Sequence, residues 1–508
     1  MKNNSDSSNT TQAIWVGIGQ LSSFSLSIIN AAILARYFDK AEYGTYKQIL
    51  YIYNILLVLF SAGLHGAPSY FLPRQTMEQG KDFIFRLIRV FILLGFSFSL
   101  SLFLLAPVIA DLFNNPDLTK GLRLFSITPM LMLPTNGLEG VYASLRKTRV
   151  IAIYTTATRI FTLILITFPV IILKGTYITA IYGWIISSVL TCILAIYLIL
   201  RPYKDTLRHT TKFGYRDIFK YSLPLMVATV YGILIRFADQ FFISRYYGTE
   251  VFAEFSNGFI DLPFVSMMIG ATTTVLLPLF SRYSESASGT GNICQTWKSA
   301  TEKSVILIYP VLAFFIFNSK SSVIALYGEQ YAISASYFMI GMLIGFFNII
   351  VYNPVLFSMG KTRLYANMHL IQVALIWITG YAVVFLSGTP ILYASLSRLL
   401  TIAQVCVGIL FATRILGIKL KDIIPFNIML RALLHSSLIC GIVAWLVGLL
   451  NLNVFIRLGL SGLISAGIVL FTGGLFGIHY LATLKSMLVN IPGFSYMQNM
   501  FERMRFLR

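Results

Sequence analysis

The sequence predicts an all-α polytopic membrane protein of about fourteen transmembrane helices, in two parallel six-helix lobes followed by two C-terminal helices. Three observations predict it. Hydrophobic residues make up 57% of the chain and charged residues 11%, with a mean hydropathy of +0.77, whereas soluble domains carry roughly 25% charge. Apolar runs of the length a helix needs to cross a bilayer, about 20 residues at 1.5 Å each, recur along all 508 residues. The chain also matches itself. Leu34 to Tyr46 (LARYFDKAEYGTY) lies over Ile243 to Phe255 (ISRYYGTEVFAEF), pairing Arg36 with Arg245, Tyr37 with Tyr246, Tyr43 with Phe252 and Tyr46 with Phe255.

In order, the apolar runs place spans at 13–35, 46–71, 84–110, 122–145, 150–173, 177–200, 217–243, 255–281, 303–327, 332–357, 364–386, 390–413, 426–450 and 454–482. The first is longer than the apolar core of a signal peptide and is read as a retained span. The organisation that follows is a polar tail (1–12), a first lobe (13–200), a basic linker (201–216), a second lobe (217–413), two helices without a counterpart (426–482) and a tail (483–508). In that tail Phe494, Met497, Phe501 and Met504 recur at helical spacing near Arg503, Arg505 and Arg508. It is either a surface-lying amphipathic helix or a frayed end.

The repeat extends beyond the first match. Leu145 to Phe161 lies over Met359 to Leu375, pairing Lys147, Thr148 and Arg149 with Lys361, Thr362 and Arg363. An even number of spans separates the copies, so the halves run in the same direction.

Charge sets the orientation. The tails and the loops after even-numbered spans hold 27 of the 39 Lys and Arg residues, and the loops after odd-numbered spans hold eight. Basic loops are retained on the cytoplasmic side, so both termini are expected there. The same retention accounts for the net charge of +20 without a nucleic-acid partner. The linker Arg201 to Lys220 is expected to lie along the cytoplasmic headgroups. The four cysteines lack metal-ligand spacing and imply neither a zinc site nor a disulfide framework.

The remaining cations, Lys47, Arg159, Arg236 and Arg398, fall within spans. A charge at the centre of a membrane helix costs about 2.5 to 3.5 kcal/mol, so four facing lipid would cost on the order of 10 kcal/mol. They must meet protein, water or ligand. Arg236 and Asp239 share a helical face in the seventh span. Either they pair locally and pin that helix, or Arg236 meets an anion in a cavity between lobes while Asp239 orients it. The repeat partners of these two are Ser27 and Asn30, which makes helices 1 and 7 a pair of cavity walls. Arg159 on helix 5 and Arg398 on helix 12 either snorkel or bind a carbonyl, or face the cavity. Lys47 and Arg36 are expected to snorkel. Asp261 on helix 8 and Glu139 on helix 4 could hold Na+ or a proton, with pairing to an arginine the simpler reading. His65, His369 and His435 read as core or interface residues, and the asparagines of the spans as inter-helix hydrogen-bonders. No GxxxxGK[ST] phosphate loop is present, so ATP hydrolysis by this chain is not expected. No extramembrane segment is long enough for a catalytic domain.

Fourteen spans in two halves, the run Arg236 to Gly258 (RFADQFFISRYYGTEVFAEFSNG) and Leu277 to Tyr283 (LPLFSRY) together resemble the polysaccharide-transporter branch of the multidrug/oligosaccharidyl-lipid/polysaccharide exporter superfamily, which includes the Wzx-type O-antigen flippases. Helix 7 of such proteins often carries an Asp and an aromatic-Gly turn, here Asp239 and Tyr247-Gly248. The resemblance implies two lobes with alternating access in the bacterial inner membrane. They would turn an undecaprenyl-diphosphate-linked oligosaccharide from the cytoplasmic to the outer leaflet for surface polysaccharide such as lipopolysaccharide O-antigen. No enzymatic activity and no cofactor is implied; Na+ or H+ would drive the step, and a glycan polymerase and chain-length proteins are expected partners besides the bilayer. A buried arginine offers a diphosphate a forked donor, which ranks Arg236, Arg159 and Arg398 as substrate-binding, with Asp239, Asn30 and Asp261 lining or orienting. Two relatives compete. Lipid II flippases typically cluster arginines on helices 1 and 2, whereas helix 1 here has none buried. Multidrug cation exporters usually have twelve spans and acid-rich cavities.

Overall fold

The computed structural model describes residues 9–283 and 289–488. Among them every regular element is a helix. Among the described residues ten helices are long and apolar enough to cross a membrane, or eleven if the bent pair Lys40–Ser61 and Leu64–Arg74 counts as one span. The other expected spans are present in different form. Span 217–243 runs inside a 44-residue helix, while 122–145 and 332–357 are chains of short helices. By packing, the chain divides into Met1–Ala253 and Glu254–Arg508.

The first unit contains α1 (Asn9–Tyr37), α2 (Lys40–Ser61), α3 (Ala67–Phe71), α4 (Met77–Leu112), α5 (Asp117–Phe125), α6 (Thr128–Met132), α7 (Gly137–Ser144), α8 (Thr148–Ile172), α9 (Tyr177–Leu200) and α10 (Tyr215–Gly258) up to residue 253. Helix α1 lies along α8, α8 along α9, and α4 against α5 and α6. Local chemistry starts the helices where they start. Asp39 caps α2 by accepting from the Glu42 N–H at 2.7 Å, and Thr76 with Gln79 forms a capping box at α4. The broken fourth span has Pro at the start of two of its pieces, Thr128–Met132 and Leu133–Asn136; each proline removes a ladder donor.

The basic linker, most of whose residues are exposed, is anchored to the first unit. It folds back on the N-terminal end of α4, whose 36 residues reach about 54 Å at 1.5 Å per residue, well beyond a hydrocarbon core of about 30 Å. Asp82, buried there, accepts from Arg86 Nε at 2.8 Å, Arg208 Nε at 2.8 Å and Nη2 at 2.7 Å, and the Thr211 N–H at 3.1 Å. Lys81 Nζ donates to the Thr206 carbonyl at 2.7 Å, and Tyr203 is 2% exposed.

Helix α10 continues to Tyr247 and breaks at Gly248 (φ 89, ψ 174), a left-handed conformation that an L side chain adopts only under strain. The sequence assigns 217–253 to the second lobe, yet these residues pack with the first unit. Phe237 explains part of this, stacking on Tyr51 at 5.9 Å.

The second unit holds the end of α10, then α11 (Pro263–Tyr283), α12 (Gly289–Phe317), α13 (Ser319–Tyr327), α14 (Ser334–Met342), α15 (Gly345–Asn348), α16 (Asn353–Ser358), α17 (Thr362–Phe385), α18 (Pro390–Leu416), α19 (Leu420–Ile423), α20 (Phe426–Gly448), α21 (Val454–Thr472) and α22 (Tyr480–Leu488). Helix α12 begins 14 residues before the expected span at 303. The repeat is visible in the element order: α17 and α18 follow each other as α8 and α9 do, and α14 to α16 are broken as α5 to α7 are, again with a proline, Pro354, opening one piece. Helix α20 lies along α12. His435 sits buried in this layer, its ring nitrogens 3.2 Å from the Tyr480 hydroxyl and 2.9 Å from Thr472 Oγ1. The expected amphipathic tail from Phe494 onward lies outside the described residues, as do residues 1–8 of the N-terminal tail.

Candidate functional site

Arg159 gains its surroundings from a close helix pair. A Cβ on Gly19 of α1 would lie 2.9 Å from both Ala152 Cα and Thr155 Oγ1 of α8, so only glycine lets the two helices approach this closely. One turn further along α1, Ser23 Oγ accepts from Arg159 Nε at 3.0 Å. The Tyr53 and Tyr154 hydroxyls lie within electrostatic reach of the same guanidinium. Tyr53 is held by Phe98, stacked at 5.7 Å, and by the edge of Phe125 at 5.3 Å. Glu139, exposed at the start of α7, is near Tyr154. Arg159 is itself exposed, and among the described residues no carboxylate comes within ion-pair distance of it. Its surroundings are hydroxyl-rich, and with Nε committed to Ser23 the two terminal nitrogens remain as paired donors. Such an arrangement can receive an anion.

Arg236 is also exposed and takes part in no ion pair among the described residues. The local pair with Asp239 that the spacing allows is therefore not what α10 forms. Asp239 is half-buried and lies near Tyr51, whose hydroxyl donates to the Phe237 carbonyl at 2.8 Å. Asn30 is half-buried and approaches the Tyr46 hydroxyl, which accepts from the Trp184 indole N–H at 2.8 Å. Asn30 thus belongs to a junction of α1, α2 and α9, separate from the Arg159 group.

Arg398 and Asp261 come together in the second unit. Arg398 Nη1 is 3.8 Å from Asp261 Oδ1, and the guanidinium carbon is 4.3 Å from the Phe259 ring centre. Asp261 does not lie on a helix as expected, because residues 259–262 separate α10 from α11. The reason is close backbone packing: Gly258 lies so near α14 that a Cβ there would be 2.2 Å from the Ser334 carbonyl oxygen. Of the cations expected to snorkel, Lys47 is half-buried with its Nζ 5.3 Å from the Tyr43 ring centre.

Sequence reasoning missed a buried polar ladder in the first unit. Gln48 Nε2 donates to Ser244 Oγ at 2.5 Å, and Asn115 Nδ2 donates to Gln48 Oε1 at 2.6 Å and Thr45 Oγ1 at 3.0 Å. Beside it, Arg245 Nη1 donates to the Asp111 carbonyl at 2.8 Å and to Asn114 Oδ1. An amide inside an apolar helix, as at Gln48, was the available signal.

Solved structures share this all-helical, twofold-repeated bundle. A lipid II flippase, MurJ, in its inward closed conformation, aligns with a TM-score of 0.66 at 16% identity over 91% of this chain and 99% of its own. An inward-facing multidrug resistance MATE family transporter of the MOP superfamily gives 0.60 at 13% identity over 80% and 98%. A MOP superfamily transporter from Pyrococcus furiosus gives 0.54 at 14% over 80% and 94%. The chain belongs to the polysaccharide biosynthesis protein family, whose model matches residues 10–284. No curated protein sequence matches it significantly.

Proposed function

We propose that the protein is a flippase that carries an undecaprenyl-diphosphate-linked oligosaccharide from the cytoplasmic to the outer leaflet of a bacterial inner membrane, for surface polysaccharide such as O-antigen. Family membership supports the polysaccharide pathway, and the shared fold supports a transporter and not an enzyme. The single observation that carries the reading is Arg159: a cation inside a membrane helix, held by a serine hydroxyl, bordered by tyrosines and offered no carboxylate among the described residues. A diphosphate supplies the missing charge and accepts a forked donor. Arg236, exposed on α10, is the second phosphate ligand. Arg398 ranks below both because Asp261 already stands beside it. Glu139, exposed near Tyr154, and Asp261 are the carboxylates that would serve Na+ or H+ coupling.

The test uses a deletion strain complemented with variants. Arg159→Ala abolishes surface glycan at wild-type protein level in the membrane and leaves lipid-linked glycan on the cytoplasmic side, and Arg159→Lys restores part of the display. Normal display by Arg159→Ala removes that residue from the substrate path. The lipid II reading gives a different result: the wild-type chain would then sustain growth of cells depleted of their lipid II flippase. Transport into vesicles under a Na+ or a proton gradient, applied separately, identifies the coupling ion.

A further inference from the structure

Away from Arg159, three side chains form a fixed pile on the side of the chain that carries most of its cations. The ring of Tyr70, at the end of α3, stacks on Tyr221 of α10 at 4.2 Å and 21°. Arg74 lies over the Tyr70 ring, its guanidinium carbon 3.7 Å from the ring centre, and its Nη1 donates to the Tyr70 carbonyl. Phe71 braces the pile by meeting both tyrosines edge-on at 4.9 and 5.5 Å. Tyr70 and Arg74 are nevertheless exposed.

We propose that Arg74 on the Tyr70–Tyr221 stack is a loading site for the diphosphate headgroup of a polyisoprenoid-linked lipid, occupied before the lipid reaches Arg159. The proposal rests on the flippase reading above. Orientation in the membrane needs only positive charge on mobile side chains, and immobilising an arginine forfeits its rotamer freedom. A guanidinium that is already immobilised by an aromatic face and a carbonyl suits an acceptor of defined geometry, because the ordering cost is met before binding. With Nη1 committed to the Tyr70 carbonyl, Nη2 and Nε remain to bind a phosphate oxygen pair.

The charge around the pile agrees. Arg216 and Lys220, in the first turns of α10 beside Tyr221, are exposed. Of the nearby acids, Asp217 Oδ2 accepts the Gly214 N–H at 2.9 Å, Asp82 is held by Arg86 and Arg208, and Glu78, one turn beyond Arg74, bonds Thr76. Arg74, Arg216 and Lys220 outnumber the exposed Asp217 and the part-buried Glu78 here, and a diphosphate, with two adjacent anionic centres, gains more from such a cluster than a phospholipid with one.

The experiment uses the full-length protein in phosphatidylcholine nanodiscs and reads bound lipid by native mass spectrometry. The probes are undecaprenyl diphosphate, phosphatidylglycerol and inorganic pyrophosphate. Wild type holds undecaprenyl diphosphate, and Arg74→Ala weakens it by about tenfold or more, the size expected for a lost charge-assisted pair. Tyr70→Leu, which frees Arg74 without removing it, weakens binding as well, and Tyr70→Phe retains it. In vesicle transport Arg74→Ala raises KM and leaves kcat near wild type. Melting temperature reports folding, and where Arg74→Ala is unstable, Arg74→Lys keeps the charge, gives up the fork and shows the same loss. Unchanged binding in Arg74→Ala overturns the proposal. Equal capture of phosphatidylglycerol, or of pyrophosphate, also overturns it. Failure of the Arg159 display test bears on transport and leaves this binding measurement standing.

Discussion

At the residue scale, two arginines that looked equivalent differ in what surrounds them. Arg398 is 9% exposed and packed on Phe259, with one contact of 3.8 Å to Asp261, whose side chain is 63% exposed. So long and solvated a contact contributes about 0.2 to 1 kcal/mol at most, so the cation–aromatic packing matters more than the ion pair. Asp261→Ala should therefore leave the melting temperature in detergent nearly unchanged, whereas Arg398→Ala should lower it clearly, by about 1 to 3 kcal/mol of stability. Equal losses from the two variants would show that the ion pair dominates. Arg159 has the opposite character, with hydroxyl neighbours and open donors. Its place inside an apolar run was legible in the sequence. Its environment was not, because Ser23, Tyr53 and Tyr154 are brought to it by a helix contact that depends on the absence of a side chain at Gly19.

At the element scale, the linker between the halves is a folded piece of the first unit. Asp82 accepts from two arginines and a backbone amide, and hydrogen bonds from charged groups to such a carboxylate contribute about 1.5 to 3 kcal/mol each when well buried. Arg208 is half-exposed, so its share is smaller. Asp82→Asn should release the segment around Arg208 and Lys212, and trypsin should then cut there at least several-fold faster in membranes opened to the protease. Cleavage at the wild-type rate would mean that the carboxylate does not hold the linker. The sequence showed a run of cations here and suggested headgroups as their partner. It could not show that a single acid 126 residues before Arg208, one among 19 Asp and Glu, is buried where the run returns. The helices themselves were easier to read: α8, α9, α17 and α18 fall within a few residues of the apolar runs, because their composition is uniform and their ends are marked by Gly or by Thr, Pro and basic residues. The spans containing Pro129, Pro134 and Pro354 were legible as apolar and not as broken.

For the whole molecule, the duplication and the charge asymmetry were the strongest signals, since both sum over many residues and tolerate local error. The repeat predicted parallel halves, and matching element orders recur in the two units. The packing boundary did not follow it. The matched copies put 217–253 in the second half, while contacts such as Gln48 with Ser244 and Tyr51 with Phe237 join that stretch to the first. Sequence similarity records ancestry, and packing records which surfaces are complementary now. Orientation remains a prediction of the cation count. In whole cells, a cysteine at Lys212 should be shielded from a membrane-impermeant maleimide and one at Thr389 should react, in a background lacking Cys192, Cys294, Cys406 and Cys440. The reverse pattern would invert the topology.

The clasp at Asp82 bears on how the gene can be divided. A break for co-expressing two fragments would ordinarily be placed in the basic stretch between the repeats, where no membrane segment is interrupted. Here that choice would strand a carboxylate on one polypeptide and its guanidinium on the other. A split ahead of Arg208, inside 201–207, should assemble poorly, and a reporter inserted there should behave as a lesion.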